Sequence, residues 1–218
     1  MRAIVENLYL VFDKLLKVNI FSSLVLHFKI KSNNCRRFPI LFYGKSSFSI
    51  HSSAIINISA GAFIFNDGRL KFEPFTGFLK MEKKSSLNVN GSFSVYSGAH
   101  IIVAENASLT LGSGYINRHV KIRCFKNISI GNDVAISENV TIWDSDVHEI
   151  VRDGYINTAA VTIGNHVWIG TNVIILKGVT IGDNAVISAG SVVSRNVPAN
   201  CLAAGNPAII VKENISWK

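Results

Sequence analysis

From residue 163 the chain reads IGNHVW, IGTNVI, ILKGVT, IGDNAV, ISAGSV, VSRNVP, six consecutive blocks of six residues. Ile163, Ile169, Ile175, Ile181, Ile187 and Val193 open the blocks, and Gly164, Gly170, Gly182, Ser188 and Ser194 follow five of them. Four residues after each lead stands another small or β-branched residue: Val167, Val173, Val179, Ala185, Ser191 and Val197. The block Ile130–Thr141 obeys the same rule. No helix accommodates a period of six, and a flat sheet requires a period of two. Three short strands per turn of a triangular prism do accommodate it. The lead aliphatic then points inward, the small residue lets the chain turn, and about eighteen residues complete one coil. Successive coils stack at the strand spacing of roughly 4.8 Å. A coil buries its apolar edge only against its neighbours, so several are needed before any is stable. Asn165, Asn172, Asn184 and Gly190 are placed for left-handed corners. An ordinary sandwich with accidental spacing does not account for a repeat this long.

Upstream, from about residue 48, apolar and polar residues alternate with Gly and Asn turns, consistent with earlier and less regular coils. Residues 69–84 read as a loop or a widened coil, and residues 206–218 leave the period as a cap on the open end. Three segments follow: 1–47, an N-terminal helix and an extended basic stretch; 48–205, the β-helix; and 206–218, the cap. Ile4, Leu8, Val11 and Leu15 recur at helical spacing, so residues 2–18 read as an amphipathic helix docked on the remainder. A peripheral membrane contact through this helix stays open as the lesser reading. Charged residues interrupt its apolar runs, so neither a spanning helix nor a signal peptide is expected.

Of 218 residues, 48% are hydrophobic and 17% charged, which excludes disorder and suits one domain. The net charge is +8, and residues 1–50 hold eight Lys/Arg against Glu6 and Asp13. Such a segment suits an anionic partner or a solvated basic face. No nucleic-acid recognition motif accompanies it. Cys35, Cys124 and Cys201 are widely spaced without a CxxC pair, as in a reduced, cytoplasmic protein.

The repeat fails at IWDSDVHEIVRDG, Ile142–Gly154. Ile142 and Ile163 are 21 residues apart, read as one coil plus three, so a loop of about three extra residues is expected here. Loops on rigid scaffolds are where reactive groups are placed.

The hexads, with VWIG (Val167–Gly170), SAGSVV (Ser188–Val193) and AAGNPA (Ala203–Ala208), resemble the hexapeptide-repeat acyltransferases over about 108–212 and, more weakly, over 48–107. Within them the chain is most similar to the maltose, galactoside and surface-polysaccharide O-acetyltransferase branch, and DSDVH (Asp144–His148) resembles that branch's active-site segment. The resemblance implies an all-β, left-handed parallel β-helix, an exception to the right-handed crossover rule. It also implies a homotrimer, acetyl-coenzyme A as co-substrate, and a sugar or polysaccharide acceptor.

Acetyl transfer from a thioester to a hydroxyl requires a base at the proton and donors for the oxyanion. His148 is the expected base. Asp146, Asp144 or Glu149 would orient it, with Asp146 preferred. Trp168 resembles a family Trp near the thioester, where its indole N–H donates and its face walls the tunnel; packing at a subunit seam is the alternative. Asn117 matches an acceptor-binding Asn, although corner Asn residues also serve backbone turns, and His119 lies in the acceptor-side region. For the donor, Thr171 and Ala189 match positions on the pantetheine arm. Ser194 and Arg195 match a pair near its phosphates, and Lys212 a terminal basic residue. Ile209 departs from the family's usual Lys or Arg. His166 is a lesser candidate. A metal-dependent relative of this fold needs a His pair five residues apart, and from His166 that slot is Thr171, so no metal is expected. Transfer to the amine of a nucleotide-linked amino sugar is the runner-up, although residues 1–50 contain only Gly44 in place of a Gly-rich unit. A catalytically inactive scaffold is the remaining alternative.

Overall fold

A computed structural model describes residues 18–20, 23–24, 40–68 and 75–218. The helix expected over 2–18 lies outside the described residues except for Val18. The described chain winds through three parallel sheets in turn, visiting each once per coil. Face I holds nine strands, from Ile40–Phe42 to Ala208–Lys212. Face II holds seven, from Ser46–Ile50 to Val192–Val193, and face III six, from Ile55–Ile58 to Thr180–Ile181. Ile40–Phe42 pairs in parallel with Phe63–Asp67, so the stack already stands ahead of residue 48, where its sequence signal becomes legible. Gly77–Met81 is a ladder strand, so part of the irregular segment 69–84 belongs to the stack. Ala208–Lys212 turns back antiparallel on Leu202–Gly205 at the end of the stack.

The lead aliphatics form inward columns in register. On face II they run Ile122, Ile142, Ile175, Val193; on face I, Ile136, Ile169, Ile187, Ala203. All of these are buried to within about a hundredth of their surface, because a prism this narrow has no other interior to fill. Register partners in the last coils are 18 residues apart, as Thr162 and Thr180 are. Near the start the offset grows, to 22 between Phe78 and His100 and to 30 between Phe63 and Phe93. The wider coils are filled by Phe42, Phe63, Phe65 and Phe93, with Phe42 and Phe65 ring centres 5.4 Å apart. Aromatic fillers and longer strands are why the six-residue signal blurs upstream.

Asn172, Asn184 and Gly190 take left-handed corners as expected, with φ of 59°, 60° and 74°. Asn165 does not: its neighbour His166 takes the corner at φ 51°. The Asn165 side chain instead accepts the Asn132 amide at 2.9 Å, and its own backbone N–H donates to Asp183 at 2.7 Å, tying three coils along one edge. Outward positions differ by face. Face III presents Ser86, Asn88, Ser108, Thr110, Ser129 and Thr162, bonded to one another where Ser86 meets Ser108 at 2.9 Å. Face I exposes Tyr115 and Trp168, and face II exposes Trp143, Ile174 and Leu176.

Gly114 has φ +127°, and a Cβ there would fall 2.1 Å from the Val134 carbonyl oxygen of the next coil. Gly114→Ala should therefore lose at least about 2 kcal/mol through backbone strain alone, measured by urea unfolding. Unchanged stability would show that the coils do not approach this closely.

Candidate functional site

Register partners across the loop are 33 residues apart, Ile142 against Ile175, where the following coils use 18. The loop thus contains fifteen extra residues, not about three. Ile142 and Ile163 lie on adjacent faces of one coil, and a phase count modulo six cannot distinguish three extra residues from fifteen. The excursion leaves the corner between faces II and III. Its neck is a short antiparallel ladder: the Ala159 N–H donates to the Asp144 carbonyl at 2.9 Å, and the Asp146 N–H to the Asn157 carbonyl at 2.7 Å. Between these bonds Ser145 Oγ and Thr158 Oγ1 meet at 2.8 Å.

Beyond the neck stands a tight turn. The His148 N–H donates back to the Asp146 carbonyl at 2.6 Å across Val147, whose φ is 64°. A β-branched residue in that region is strained, and such three-residue turns are rare. Strain of this kind concentrates at functional positions. Here it places the exposed His148 side chain directly after the neck, where no described side chain bonds its ring.

The carboxylates divide by function. Asp144 is wholly buried and accepts the N–H groups of Phe125, Lys126 and Asn127 at 2.7–2.8 Å, so it pins the preceding coil's corner and is not available to orient a histidine. Cys124 lies nearby, its thiol pushed up to about 12 by burial and by Asp144, which leaves it unreactive. Asp146 does not bond the His148 ring either. Its Oδ2 accepts a hydrogen bond from the Tyr155 hydroxyl and pairs with the Lys177 ammonium, the latter at 2.5 Å. Lys177 also donates to the Ile156 carbonyl at 2.5 Å and lies 4.2 Å from the Tyr155 ring centre. One ammonium on the next coil thereby holds three points of the loop. Glu149 is exposed at the tip.

Beside this staple is a groove of about 240 Å³, lined by Thr141, Trp143, Ser145, Asp146, Ile174, Leu176 and Lys177. Its floor is the outer surface of face II. The sequence reading missed Trp143, Tyr155 and Lys177, and the only available signal was Lys177 in the corner slot of an otherwise uncharged hexad. The groove is smaller than the roughly 300–1,000 Å³ usual for a ligand pocket.

The other expected residues flank face II. Asn117, His119, Thr171 and Ala189 occupy its corner with face I, whereas Ser194 and Arg195 are exposed at its corner with face III. The Asn117 amide oxygen accepts the Arg118 N–H at 2.9 Å, and His119 takes φ 58° against the edge of Phe75 at 4.3 Å. Trp168 is 44% exposed on face I, and Lys212 is exposed on the returning terminal strand. One copy of the chain therefore does not bring Trp168 and His148 to the same face. His166 is already engaged: Nδ1 meets Asp133 at 2.6 Å, Nε2 the Trp217 carbonyl at 3.1 Å, and the two rings stack at 4.2 Å. The Trp217 carbonyl first and then Asp133 raise its pKa, favouring the charged ring as a clamp for the terminal residues. Among the described residues, no three His, Cys, Asp or Glu side chains gather as a metal set.

Residues 160–195, the two coils directly after the loop, match the family described as bacterial transferase hexapeptide (six repeats). These two coils carry that family's repeat. It is 42% identical over 102 residues to the galactoside O-acetyltransferase of Escherichia coli K12, covering 45% of this chain and 50% of that protein. It is 36% identical over 144 residues to the polysialic acid O-acetyltransferase of Escherichia coli O1:K1, covering 64% and 44%. The chain spans about half the length of the curated relatives it matches. The solved structure of the polySia specific acetyltransferase NeuO superposes with a TM-score of 0.50 at 23% identity, over 84% of this chain and 90% of that one, which shows a common fold, the left-handed parallel β-helix.

Lys177 first and Tyr155 second hold the Asp146 carboxyl below its ordinary 3.8, and Asp146 holds Lys177 above its ordinary 10.5. The staple is therefore complete between those values. It is lost as pH falls through the depressed Asp146 value, or rises through the elevated Lys177 value. Lys177→Met should raise amide exchange and protease cutting within 147–156 while leaving the unfolding midpoint of the stack nearly unchanged. Equal protection in the variant would mean that the neck alone holds the loop.

Proposed function

We propose that the protein is an acetyl-coenzyme A-dependent O-acetyltransferase acting on a sugar hydroxyl of a bacterial surface polysaccharide or its precursor. The observation that carries this reading is the strained turn that presents His148 two residues past Asp146, which lines a groove, on a loop inserted immediately before the coils that match the transferase family. The O-acetyltransferase relatives support the same chemistry.

His148 accepts the proton of the acceptor hydroxyl as its oxygen attacks the thioester carbonyl. Collapse of the tetrahedral species breaks the carbon–sulfur bond, and the imidazolium returns the proton to the departing thiolate. The general base contributes ~10²–10⁴ in rate. Trp168 and a backbone N–H supply the oxyanion donors. Thr171 and Ala189 lie along the pantetheine arm, Ser194, Arg195 and Lys212 serve the phosphates, and Asn117 and His119 hold the sugar. Asp146 acts on His148 through the loop that it staples, not by a direct bond.

A homotrimer completes this site. The groove is open along face II, and the exposed aromatic residues of the sheets lie on faces I and II, whereas face III is polar apart from Ile55 at its first strand, so two faces suit burial better than the third. A heterologous contact of face I on face II closes as a ring and brings one copy's Trp168 toward another's His148. The proposal places the reaction in the cytoplasm.

Thiol release from acetyl-coenzyme A should fall ~10²–10⁴-fold in His148→Ala, with the oligomer intact by light scattering. Near-normal turnover in that variant would remove His148 as the base. Release with amino sugars but with no hydroxyl acceptor would reassign the reaction to N-acetylation.

A further inference from the structure

One and two coils below the groove, face II carries three basic or titratable side chains that have no counter-ion among the described residues. Register fixes their places: Arg123 lies beside Trp143, Lys121 beside Thr141, and His100 beside Lys121. Trp143 and Thr141 line the groove, so the basic group continues directly from it at roughly one strand spacing per coil, 4.8 Å.

Arg123 is half-buried, and its Nη1 donates to the backbone carbonyls of His100 at 2.8 Å and Ile122 at 3.1 Å. These bonds fix the guanidinium on the sheet surface without neutralising it, and no described carboxylate pairs with it. Burial lowers its pKa, an indication that the cation is poorly solvated there. Lys121 is exposed and likewise has no carboxylate partner among the described residues. The His100 ring packs on Phe78 at 4.7 Å, and its Nδ1 is enclosed without a hydrogen-bond partner. Burial, then Arg123, then Lys121 hold His100 in its neutral form. The carboxylates around this group are engaged elsewhere: Glu82 with Lys80 at 2.7 Å and the Glu105 N–H, Asp146 with Lys177 at 2.5 Å, and Asp144 with three backbone amides. Cations left partly desolvated and unpaired are unfavourable unless an anion joins them, and Arg is the side chain best shaped to take a carboxylate or phosphate with two parallel bonds.

We propose that His100, Lys121 and Arg123 form a subsite for a carboxylate of the acceptor, so that an acidic glycan lies along face II with one sugar on Trp143 beneath His148. This deepens the proposed O-acetylation by naming its acceptor class, and rests on that reading. The direction of the stripe favours the acceptor over the phosphates of the donor. It runs from the groove toward the earlier coils, away from Thr171, Ala189, Ser194 and Arg195.

The test is binding by calorimetry, without acetyl-coenzyme A, of uronic-acid and nonulosonic-acid oligomers, a neutral hexose oligomer of equal length, and coenzyme A. At least one acidic oligomer should bind more tightly than the neutral one, with affinity falling as salt rises. Arg123→Met and, separately, the surface change Lys121→Met should each weaken that binding tenfold or more, and Arg123→Lys should restore part of it. The His100 ring, followed by nuclear magnetic resonance, should titrate at higher pH in the complex, because an adjacent anion favours the imidazolium. The proposal is overturned by equal binding of acidic and neutral oligomers, by binding of neither, by full binding in both Met variants, or by displacement of the sugar by coenzyme A. Because no transfer is measured, failure here leaves the His148 assignment standing, and an active His148→Ala variant leaves the subsite standing.

Discussion

Everything in this molecule depends on coil-to-coil stacking in register. The N–H of one coil donates to the carbonyl of the next, as Gly164 does to Ile181 at 2.8 Å and Gly170 to Ile187 at 2.8 Å. The same register lays each inward aliphatic on the one below, from Ile122 to Val193 on face II. A coil has almost no interior of its own, so burial and backbone pairing form together or not at all. The result is a stiff column whose corners recur at fixed places, a frame from which an inserted loop can be held at a defined height.

That frame explains the position of the candidate chemistry. The excursion between faces II and III is closed at its neck by backbone bonds and held near its far end by Lys177 of the next coil. The coil below is anchored through Asp144, whose buried carboxylate ties three amides of the preceding corner. Between the two anchors Val147 is forced into a strained turn that presents His148. Face II becomes a floor with candidate acceptor residues at one corner and the loop at the other, and with unpaired cations leading away from it.

How much of this was legible in the sequence follows from what each feature depends on. Period six and the lead aliphatics are properties of single positions, so the fold and most corners could be read directly. Corner Asn165 was misplaced by one residue because its side chain was wanted for an edge ladder, and His166 tolerated the left-handed turn. The loop's length escaped because a phase count is blind to whole hexads. The partners of Asp146 escaped because Lys177 and Asp146 are 31 residues apart in sequence and meet only through stacking. Asp144, read from its motif as a candidate for orienting a histidine, proved to be a backbone anchor, a distinction that burial alone reveals.

The most direct test of the central claim, a reaction centre completed by a second copy with His148 and Trp168 on different chains, is complementation between impaired subunits. His148→Ala and Trp168→Ala proteins would be assayed separately, then unfolded together and reassembled as mixed oligomers. The account predicts that mixed oligomers recover thiol-release activity that neither variant shows alone, because some sites receive both intact residues. Mixed oligomers no more active than the parent variants would contradict it.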